Sequence, residues 1–333
     1  PPGNYRVAAK LEGFKALDRR GIALDVGRTT DLALTLEVGA MQETVTVTSD
    51  SPLIDVTSAQ VRGHISSTEI NELPQGNRSY MALVGNVPGA SFVPTGGFLN
   101  DTMTANGQPA AANNVSIDGA NNVDDLRGTN VGGQARTANE TLQEVQVMTN
   151  QFDAEFGRSS GAVINAVTKS GSNQISGSVF DFFTGKAVTA KDFFTANSGR
   201  EKPDVGKTEW GGTVGGPILR NQLFYFGSLE RVTQKRNISE SFPSRPELDY
   251  STVDSVGAWN TFVRVDHQVT SKHTRALRWQ REVAPQFPTE PIPAPLLSDG
   301  DETDEDETFV GNLTSVISNN TVNTFRASRT TEM

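Results

Sequence analysis

The sequence contains no cysteine, no long apolar run and no excess of basic side chains. Without cysteine there is no disulfide framework, no thiolate metal site and no cysteine nucleophile. A membrane-spanning helix needs a run of about 18 apolar residues, and none occurs. A membrane β-barrel stays open as a possibility, because alternating strands give only a weak hydropathy signal.

Acidic side chains outnumber basic ones by 39 to 29, which gives a net charge of −10. Seven of the negative charges lie within residues 299–307, and the rest of the chain is close to neutral. Because nucleic-acid binding requires an excess of Lys and Arg on some face, we predict no nucleic-acid partner. The acidic tract predicts a solvated loop. A weak divalent-cation site at Asp299, Asp301, Asp304 and Asp306 is the alternative, although the order of an EF-hand loop is missing.

Turn-forming residues are frequent, with 31 glycines and 16 prolines, which disfavours a long helical bundle. The length of 333 residues predicts roughly two domains. The sequence begins at Pro1 without a methionine or a signal peptide, so we expect it to be a fragment that lacks its N-terminus.

Three regions differ in texture. Residues 1–48 predict a small antiparallel sheet: residues 1–4 read as a turn, and residues 5–10 and 31–38 alternate in polarity. In the second of these strands Leu32, Leu34, Leu36 and Val38 are expected to form a buried face. Residues 49–172 predict an irregular α+β domain with helices at 67–73 and 138–144 and strands at 145–148 and 162–168.

Residues 173–333 predict seven long antiparallel strands, at about 174–184, 206–215, 222–233, 258–270, 273–283, 307–317 and 321–330. In the fourth strand Trp259, Val263 and Val265 alternate with Asn260 and Arg264, so that one face suits lipid and the other a wet lumen. Short connections alternate with long polar ones, as in an outer-membrane barrel. A soluble β-sandwich is the alternative that the pattern alone leaves open.

Residues 144–171 resemble the end of the plug domain of TonB-dependent outer-membrane receptors, especially the Oar-like branch with a carboxypeptidase-regulatory-like N-terminal domain. Residues 73–78, 106–108, 116–122, 215–218 and 223–227 match the same family in the same order. The matching plug residues are Leu73, Pro74, Asn77, Arg78, Asp118, Gly119, Glu155, Phe156, Gly157, Arg158, Gly161 and Lys169.

The resemblance implies a mostly β fold in three parts. Residues 1–48 correspond to the remnant of a prealbumin-like, carboxypeptidase-regulatory-like β domain, 49–172 to the plug, and 173–333 to the first seven or so strands of a 22-stranded outer-membrane barrel. Such a barrel must be plugged to avoid a leak. Among the plug residues, Glu155 and Arg158 are candidates for an ion pair with the barrel wall, with pairing inside the plug as the alternative.

The resemblance also implies a function. It predicts energy-coupled uptake with TonB and its inner-membrane complex as partners, outer-membrane lipid as surroundings, and no enzyme activity or cofactor. The ligand is unidentified, an oligosaccharide or a peptide being the classes considered. Thr149 and Asn150 stand where many siderophore receptors carry Arg-Gly, which argues against an iron chelate. The alternative function is adhesion or surface structure without transport.

A segment of six residues resembles the TonB box of these receptors: Glu43, Thr44, Val45, Thr46, Val47 and Thr48. An extended, β-branched segment without proline can offer its backbone to a sheet edge of a partner protein. The alternative is that it forms the last strand of the N-terminal domain.

The pattern G-x-S-x-G at residues 157–161 matches a hydrolase nucleophile elbow only in its letters. That elbow requires a helix after the serine, whereas a β-branched run follows here. Residues 206–208, Gly-Lys-Thr, lack the earlier glycine of a phosphate-binding loop and predict the start of a strand. His64, His267 and His273 have no metal-site spacing.

Overall fold

A computed structural model describes residues 3–24, 32–39, 44–48, 61–75, 78–93, 102–123, 136–150, 152, 157–191, 193–197, 201–240, 244–245, 250–286, 302–318 and 320–332. These residues fall into two compact units. One comprises Pro1–Arg62 with Asn150–Asp153, and the other comprises Gly63–Thr149 with Ala154–Met333. No helix among the described residues is long and apolar enough to cross a membrane.

The first unit contains a three-stranded sheet in the order β1-β2-β3. Its strands are β1 (Gly3–Ala9), β2 (Ala16–Leu24) and β3 (Thr44–Thr48). Strand β2 pairs antiparallel with β1 and parallel with β3, so the sheet is mixed rather than antiparallel as predicted. The predicted turn at residues 1–4 is also wrong, because Gly3 and Asn4 already pair with β2.

The predicted strand at residues 31–38 is wrong as well. Its described residues have no strand assignment, and Val38 makes only an isolated bridge with Phe14. Val38 is 81% exposed, whereas Leu32, Leu34 and Leu36 are half-buried, so the expected apolar face is only partly covered. Alternation alone does not make a strand where the backbone has no ladder partner along its length.

The second unit begins with a domain of mixed structure, here called the inner domain (described residues of 63–149 and 157–168). Its five-stranded central sheet has the order β4-β9-β10-β7-β8. The strands are β4 (Val61–Ser66), β7 (Asn114–Ile117), β8 (Ala120–Asn121), β9 (Leu142–Asn150) and β10 (Val163–Thr168). The inner domain also contains a separate two-stranded antiparallel sheet of β5 (Ala90–Val93) and β6 (Thr102–Ala105). Ile70, Met81, Val115, Leu142 and Ile164 are among the residues of its fully buried core.

Two helices and two 3₁₀ turns complete the inner domain: α1 (Ser67–Glu72), α2 (Tyr80–Val84), Ala110–Ala112 and Asn139–Thr141. The predicted helix at 67–73 is confirmed as α1, although its N-cap is Ser66, which forms a capping box with Glu69. The predicted helix at 138–144 is wrong. There the chain makes the second 3₁₀ turn and enters β9, because Leu142 and Glu144 pair with β10.

The remainder of the second unit is a seven-stranded antiparallel sheet, here called the wall, in the sequential order β11 to β17. All seven predicted strands are confirmed: β11 (Ser176–Gly185), β12 (Gly206–Leu219), β13 (Leu223–Glu240), β14 (Tyr250–Thr270), β15 (His273–Gln286), β16 (Glu302–Ser318) and β17 (Thr321–Glu332). A short helix, α3 (Phe193–Asn197), lies between β11 and β12. Several strands extend beyond their predicted ends, because the ladder between neighbours continues past the alternating stretch.

The two faces of the wall differ as the alternation predicts. In β14, Asn260 and Phe262 are buried on the face toward the inner domain, whereas Trp259 and Val263 are exposed on the opposite, outward face. The connections β12–β13, β14–β15 and β16–β17 are two or three residues long, and those at the other ends of the strands are much longer. An outer-membrane barrel has this asymmetry, with its short turns on the periplasmic side.

The predicted loop over the acidic tract is partly wrong. Asp299 and Asp301 lie outside the described residues, but strand β16 already begins at Glu302 and includes Asp304 and Asp306. Asp306 is buried on the inward face. Pairing with β15 from residue 302 onward draws these acidic residues into the wall.

Candidate functional site

Arg78 links the inner domain to the wall. It lies between α1 and α2 with a left-handed backbone, φ 49°. Its Nε donates to Oε1 of Glu209 in β12 at 2.8 Å, and its Nη2 donates to Glu140. The guanidinium also stacks over the Phe182 ring of β11, 3.5 Å from the ring centroid. Arg78 therefore joins a carboxylate of its own domain to one of the wall.

Arg136 makes a second set of contacts. Its Nη2 lies 3.0 Å from Oε1 of Glu230 in β13 and 3.6 Å from Oε2 of Glu209. Its backbone N–H donates to Oε2 of Glu282 in β15 at 2.5 Å. On the same segment, the backbone oxygen of Arg136 accepts a hydrogen bond from the side chain of Gln280 at 3.0 Å. Strands β12, β13 and β15 of the wall thus bind one short segment of the inner domain.

The wall carboxylates are completely buried. Glu209 and Glu230 are 0% exposed. Lys207 contacts Oε2 of Glu209 at 2.9 Å, and Asn260 donates to Oε1 of Glu230 at 3.2 Å. We call the charged groups that meet here the ion network: Arg78, Arg136, Glu140, Lys207, Glu209, Glu230 and Glu282. A buried charge of this kind is tolerated only when it is paired.

Carboxylate oxygens of Glu140, Glu209 and Glu230 lie within 4.8 Å of one another, a spacing that suits a metal ion. In the structure the cationic groups of Arg78, Arg136 and Lys207 contact these same carboxylates. Because side chains already supply the positive charge, we interpret the cluster as an ion-pair network and not as a metal centre.

Burial and neighbouring charges compete at Arg136 and at Lys169. Burial alone lowers the pKa of Arg136, but the surrounding carboxylates, led by Glu230, outweigh it and raise that pKa above its ordinary value. Burial lowers the pKa of Lys169 in spite of the nearby Glu140 carboxylate. Arg136 is thus held firmly in its charged form.

The residues predicted from the family resemblance divide into three groups. Arg78 belongs to the ion network, Lys169 lies near Glu140, and Asp118 and Gly119 face arginines of the wall. Leu73 and Pro74 are exposed beside Arg78. Asn77, Glu155 and Phe156 lie outside the described residues.

The segment at residues 157–161 has a structural role. Gly157 and Arg158 are exposed, and because Glu155 lies outside the described residues the ion pairing predicted for Glu155 and Arg158 stays a prediction. Gly161 packs so closely on Asn113 that a Cβ would lie 2.3 Å from the Asn113 side-chain oxygen. The one hydroxyl proton of Ser159 is shared between the backbone oxygens of Ala112 and Ala162, which fixes this loop.

The predicted TonB box lies in the first unit. Glu43 is outside the described residues, and the other five residues form β3, paired with β2 between Ala16 and Arg20. The strand pairing is the alternative stated for this segment. Whether these residues also bind TonB stays a prediction.

Sequence reasoning missed two residues of the inner domain, Arg136 and Glu140, and most of the wall residues that contact this domain: Glu209, Glu230, Arg264, Arg278 and Glu282. The wall residues could be recognised in part from the sequence. Along the predicted strands, polar and charged residues alternate with apolar ones, so the polar and charged residues share the inward face. This alternation marks the face on which a residue lies but does not identify its partner, which is more than 100 positions away for Arg78 and Glu209.

The sequence matches both a family model and a known protein. Residues 167–254 match the family model described as outer membrane beta barrel domain. The chain is 30% identical to the TonB-dependent transporter Oar of Myxococcus xanthus over 77% of this chain and 25% of that protein. The chain therefore spans about a quarter of the length of this curated relative.

Solved structures show the same fold. The outer membrane transporter YddB of Escherichia coli matches with a TM-score of 0.59 and 15% identity, over 77% of this chain and 37% of that one. The siderophore receptor PirA of Acinetobacter baumannii matches with a TM-score of 0.60 and 16% identity, over 81% and 39%. The predicted resemblance to TonB-dependent receptors of the Oar-like kind is thus confirmed, and the chain is part of a bacterial outer-membrane protein.

Proposed function

Because this chain resembles TonB-dependent receptors in sequence and has their fold, we propose that it is the plug-bearing part of an importer driven through TonB. In this proposal residues 49–172 form the plug, residues 173–333 begin the barrel, and residues 43–48 offer the TonB contact. The observation that carries it is the ion network, which fixes the inner domain to the wall through buried charges.

The ion network supports a gate that opens under force. Moving the inner domain away from the wall separates several buried ion pairs at once, and each charge is unpaired until water reaches it, which is unfavourable. Thermal motion alone therefore rarely displaces the inner domain. The outer membrane has neither ATP nor an ion gradient, so that the work must come from the periplasmic side. TonB is the expected source of that work.

The ligand of this importer is not a siderophore in our proposal. The siderophore receptors PirA of Acinetobacter baumannii and Pseudomonas aeruginosa share 16% and 14% identity with the chain, which supports a common fold and not a common ligand. Thr149 and Asn150 replace the Arg-Gly pair of many siderophore receptors. An oligosaccharide or a peptide is the ligand class that we propose instead.

Planar-bilayer conductance of the full-length receptor tests the proposal. The intact receptor should be nearly silent, and deletion of residues 49–172 should produce a water-filled pore, because side chains cannot fill the lumen of a barrel of this size. Deletion of residues 1–48 alone is the matched control and should leave the receptor silent. Equal conductance with and without residues 49–172 would remove the gate and with it the proposed transport mechanism.

A further inference from the structure

A second contact between the inner domain and the wall lies outside the ion network, at the turn between β7 and β8. Ile117 pairs with Ala120, so the hairpin turns through two residues only. These are Asp118 and Gly119, with φ values of 50° and 73°. Two successive left-handed residues make a type I′ turn, for which Asp-Gly is a preferred sequence. The turn is therefore rigid and presents the Asp118 carboxylate in a defined direction.

The Asp118 carboxylate holds the end of strand β10. It accepts the backbone N–H of Thr168 at 3.0 Å and the Thr168 hydroxyl at 2.9 Å. The backbone N–H of Asp118 in turn donates to the oxygen of Ala166. Thr168 is the last residue of β10, and the chain passes from it into the first wall strand. The turn thus fixes the point at which the inner domain leads into the wall.

Arginines from three wall strands converge on the same turn. Arg264 of β14 approaches Oδ1 of Asp118 at 3.4 Å and donates to the Thr168 backbone oxygen at 3.1 Å. Arg278 of β15 approaches Oδ2 of Asp118 at 3.5 Å, and Arg326 of β17 donates to the backbone oxygen of Gly119 at 3.1 Å. The wall therefore binds both the carboxylate and the backbone of one turn.

Charge and burial make Asp118 the centre of this arrangement. The side chains of Asp118 and Arg278 are 8% and 4% exposed. Arg264 has a second carboxylate partner, Asp266, at 2.8 Å, whereas the one carboxylate recorded against Arg278 among the described residues is Asp118. Loss of the Asp118 charge would leave a buried guanidinium without an anion, which is strongly unfavourable.

We propose that Asp118 is a positioning residue that locks the exit strand of the inner domain to the wall and must release Arg264 and Arg278 before the inner domain can move. We call this group the Asp118 clasp: Asp118, Gly119, Thr168, Arg264, Arg278 and Arg326. The inference rests on the proposed function, because it concerns the same gate. It adds a second lock, on the side of the wall nearer the short turns of β14 and β15.

Conductance of the full-length receptor in planar bilayers is the first test, with only folded protein selected by its heat-dependent electrophoretic mobility. Asp118→Asn and Arg278→Gln should each raise the frequency of channel openings at least tenfold. Since both remove the same contact, the double variant should open no more than about twofold more often than either single variant. Asp181→Asn, an exposed carboxylate on the outward face of β11, is the control and should behave as wild type.

The same variants separate failure of the clasp from failure of the proposed function. Silence of Asp118→Asn while the deletion of residues 49–172 conducts would overturn the clasp alone. Effects of the two single variants that multiply in the double variant would overturn it too. Silence of the deletion itself would overturn the gate. If Asp118→Asn does not fold, Arg278→Gln decides in the same way.

A labelling experiment tests the clasp without conductance. Ala166 is completely buried in β10, two residues before Thr168. In a full-length background without other reactive cysteines, Ala166→Cys should react with a maleimide at least tenfold faster when combined with Asp118→Asn. The temperature at which the wall unfolds should change little, because the strand ladder is untouched and water reaches Arg278 once the inner domain moves. An unchanged labelling rate, or a faster rate explained by a less stable wall, would overturn the clasp.

Discussion

Glu209 contacts more cationic side chains than any other carboxylate of the ion network. It contacts Arg78, Lys207 and Arg136 and is completely buried. Glu230 is equally buried but contacts Arg136 and the amide of Asn260. Both carboxylates lie on wall strands, so each holds inner-domain groups from outside the inner domain. Glu209 and Glu230 therefore differ in how many cations each of them balances: three for Glu209 and one for Glu230.

We expect Glu209→Gln to loosen the inner domain more than Glu230→Gln. Losing the Glu209 charge leaves three cations short of an anion, at a cost of about 3–5 kcal/mol for a buried pair. Hydrogen exchange of the β9 amides in the full-length receptor should therefore speed up about 100-fold or more, and by less in Glu230→Gln. An equal or larger effect of Glu230→Gln would show that the cations do not depend on Glu209.

For single residues, the sequence predicts which inner-domain residues contact the wall better than it predicts the wall residues that they contact. Arg78 and Asp118 follow from family motifs, and both lie against the wall. Their partners Glu209 and Arg264 are separated from them by 131 and 146 positions. A local pattern carries no record of such a separation, because the pairing arises only when the wall folds beside the inner domain.

Among the elements, the wall strands are predicted well because one physical cause, the contrast between the two faces, repeats along each strand. The alternation of Trp259 and Val263 with Asn260 and Phe262 survives into the structure. Prediction of strands from the sequence fails where the pairing of a segment with a distant strand decides whether that segment becomes a strand. Residues 142–144 become strand because β10 pairs with them, and residues 32–37 remain without strand structure for want of a ladder partner.

Strand β3 is the element for which the sequence allows two partners. In the full-length receptor, Val45→Pro should weaken binding of the purified periplasmic domain of TonB at least tenfold, because proline removes a backbone donor and fixes φ. Val45→Thr keeps the donor and the β-branch, so it should bind TonB as wild type does. Titration by fluorescence anisotropy measures both. Unchanged affinity of Val45→Pro would leave residues 43–48 as a strand of the small sheet and nothing more.

Considered as a whole molecule, the wall is an open sheet whose outward face exposes large apolar side chains. Val179, Leu277 and Phe325 are all more than half exposed on that face. Strands β11 and β17 stand at its two edges, and a barrel removes such edges only by closing. The exposed apolar surface and the unpaired backbone at the edges both favour association with lipid, detergent or other chains.

We therefore expect the 333-residue chain, produced alone, to be monomeric only in detergent and to aggregate in plain buffer. Light scattering coupled to size-exclusion chromatography distinguishes the two states. The inner domain, whose core is its own, should keep its slow hydrogen exchange better than the edge strand β17 in either condition. A monodisperse, cooperatively melting monomer in plain buffer would contradict the membrane assignment of the outward face.

The sequential order of the wall has a kinetic consequence. From β12 onward each wall strand pairs with the strand that precedes it in the chain, so every pairing joins neighbours in sequence and can form soon after its residues become available. The inner domain lies earlier in the chain than any wall strand. It can therefore be folded before the last strand arrives, and Arg326 of β17 then finds the Gly119 oxygen already in place. Assembly in this order builds the barrel around its occupant, so that no large domain has to be threaded into a finished pore.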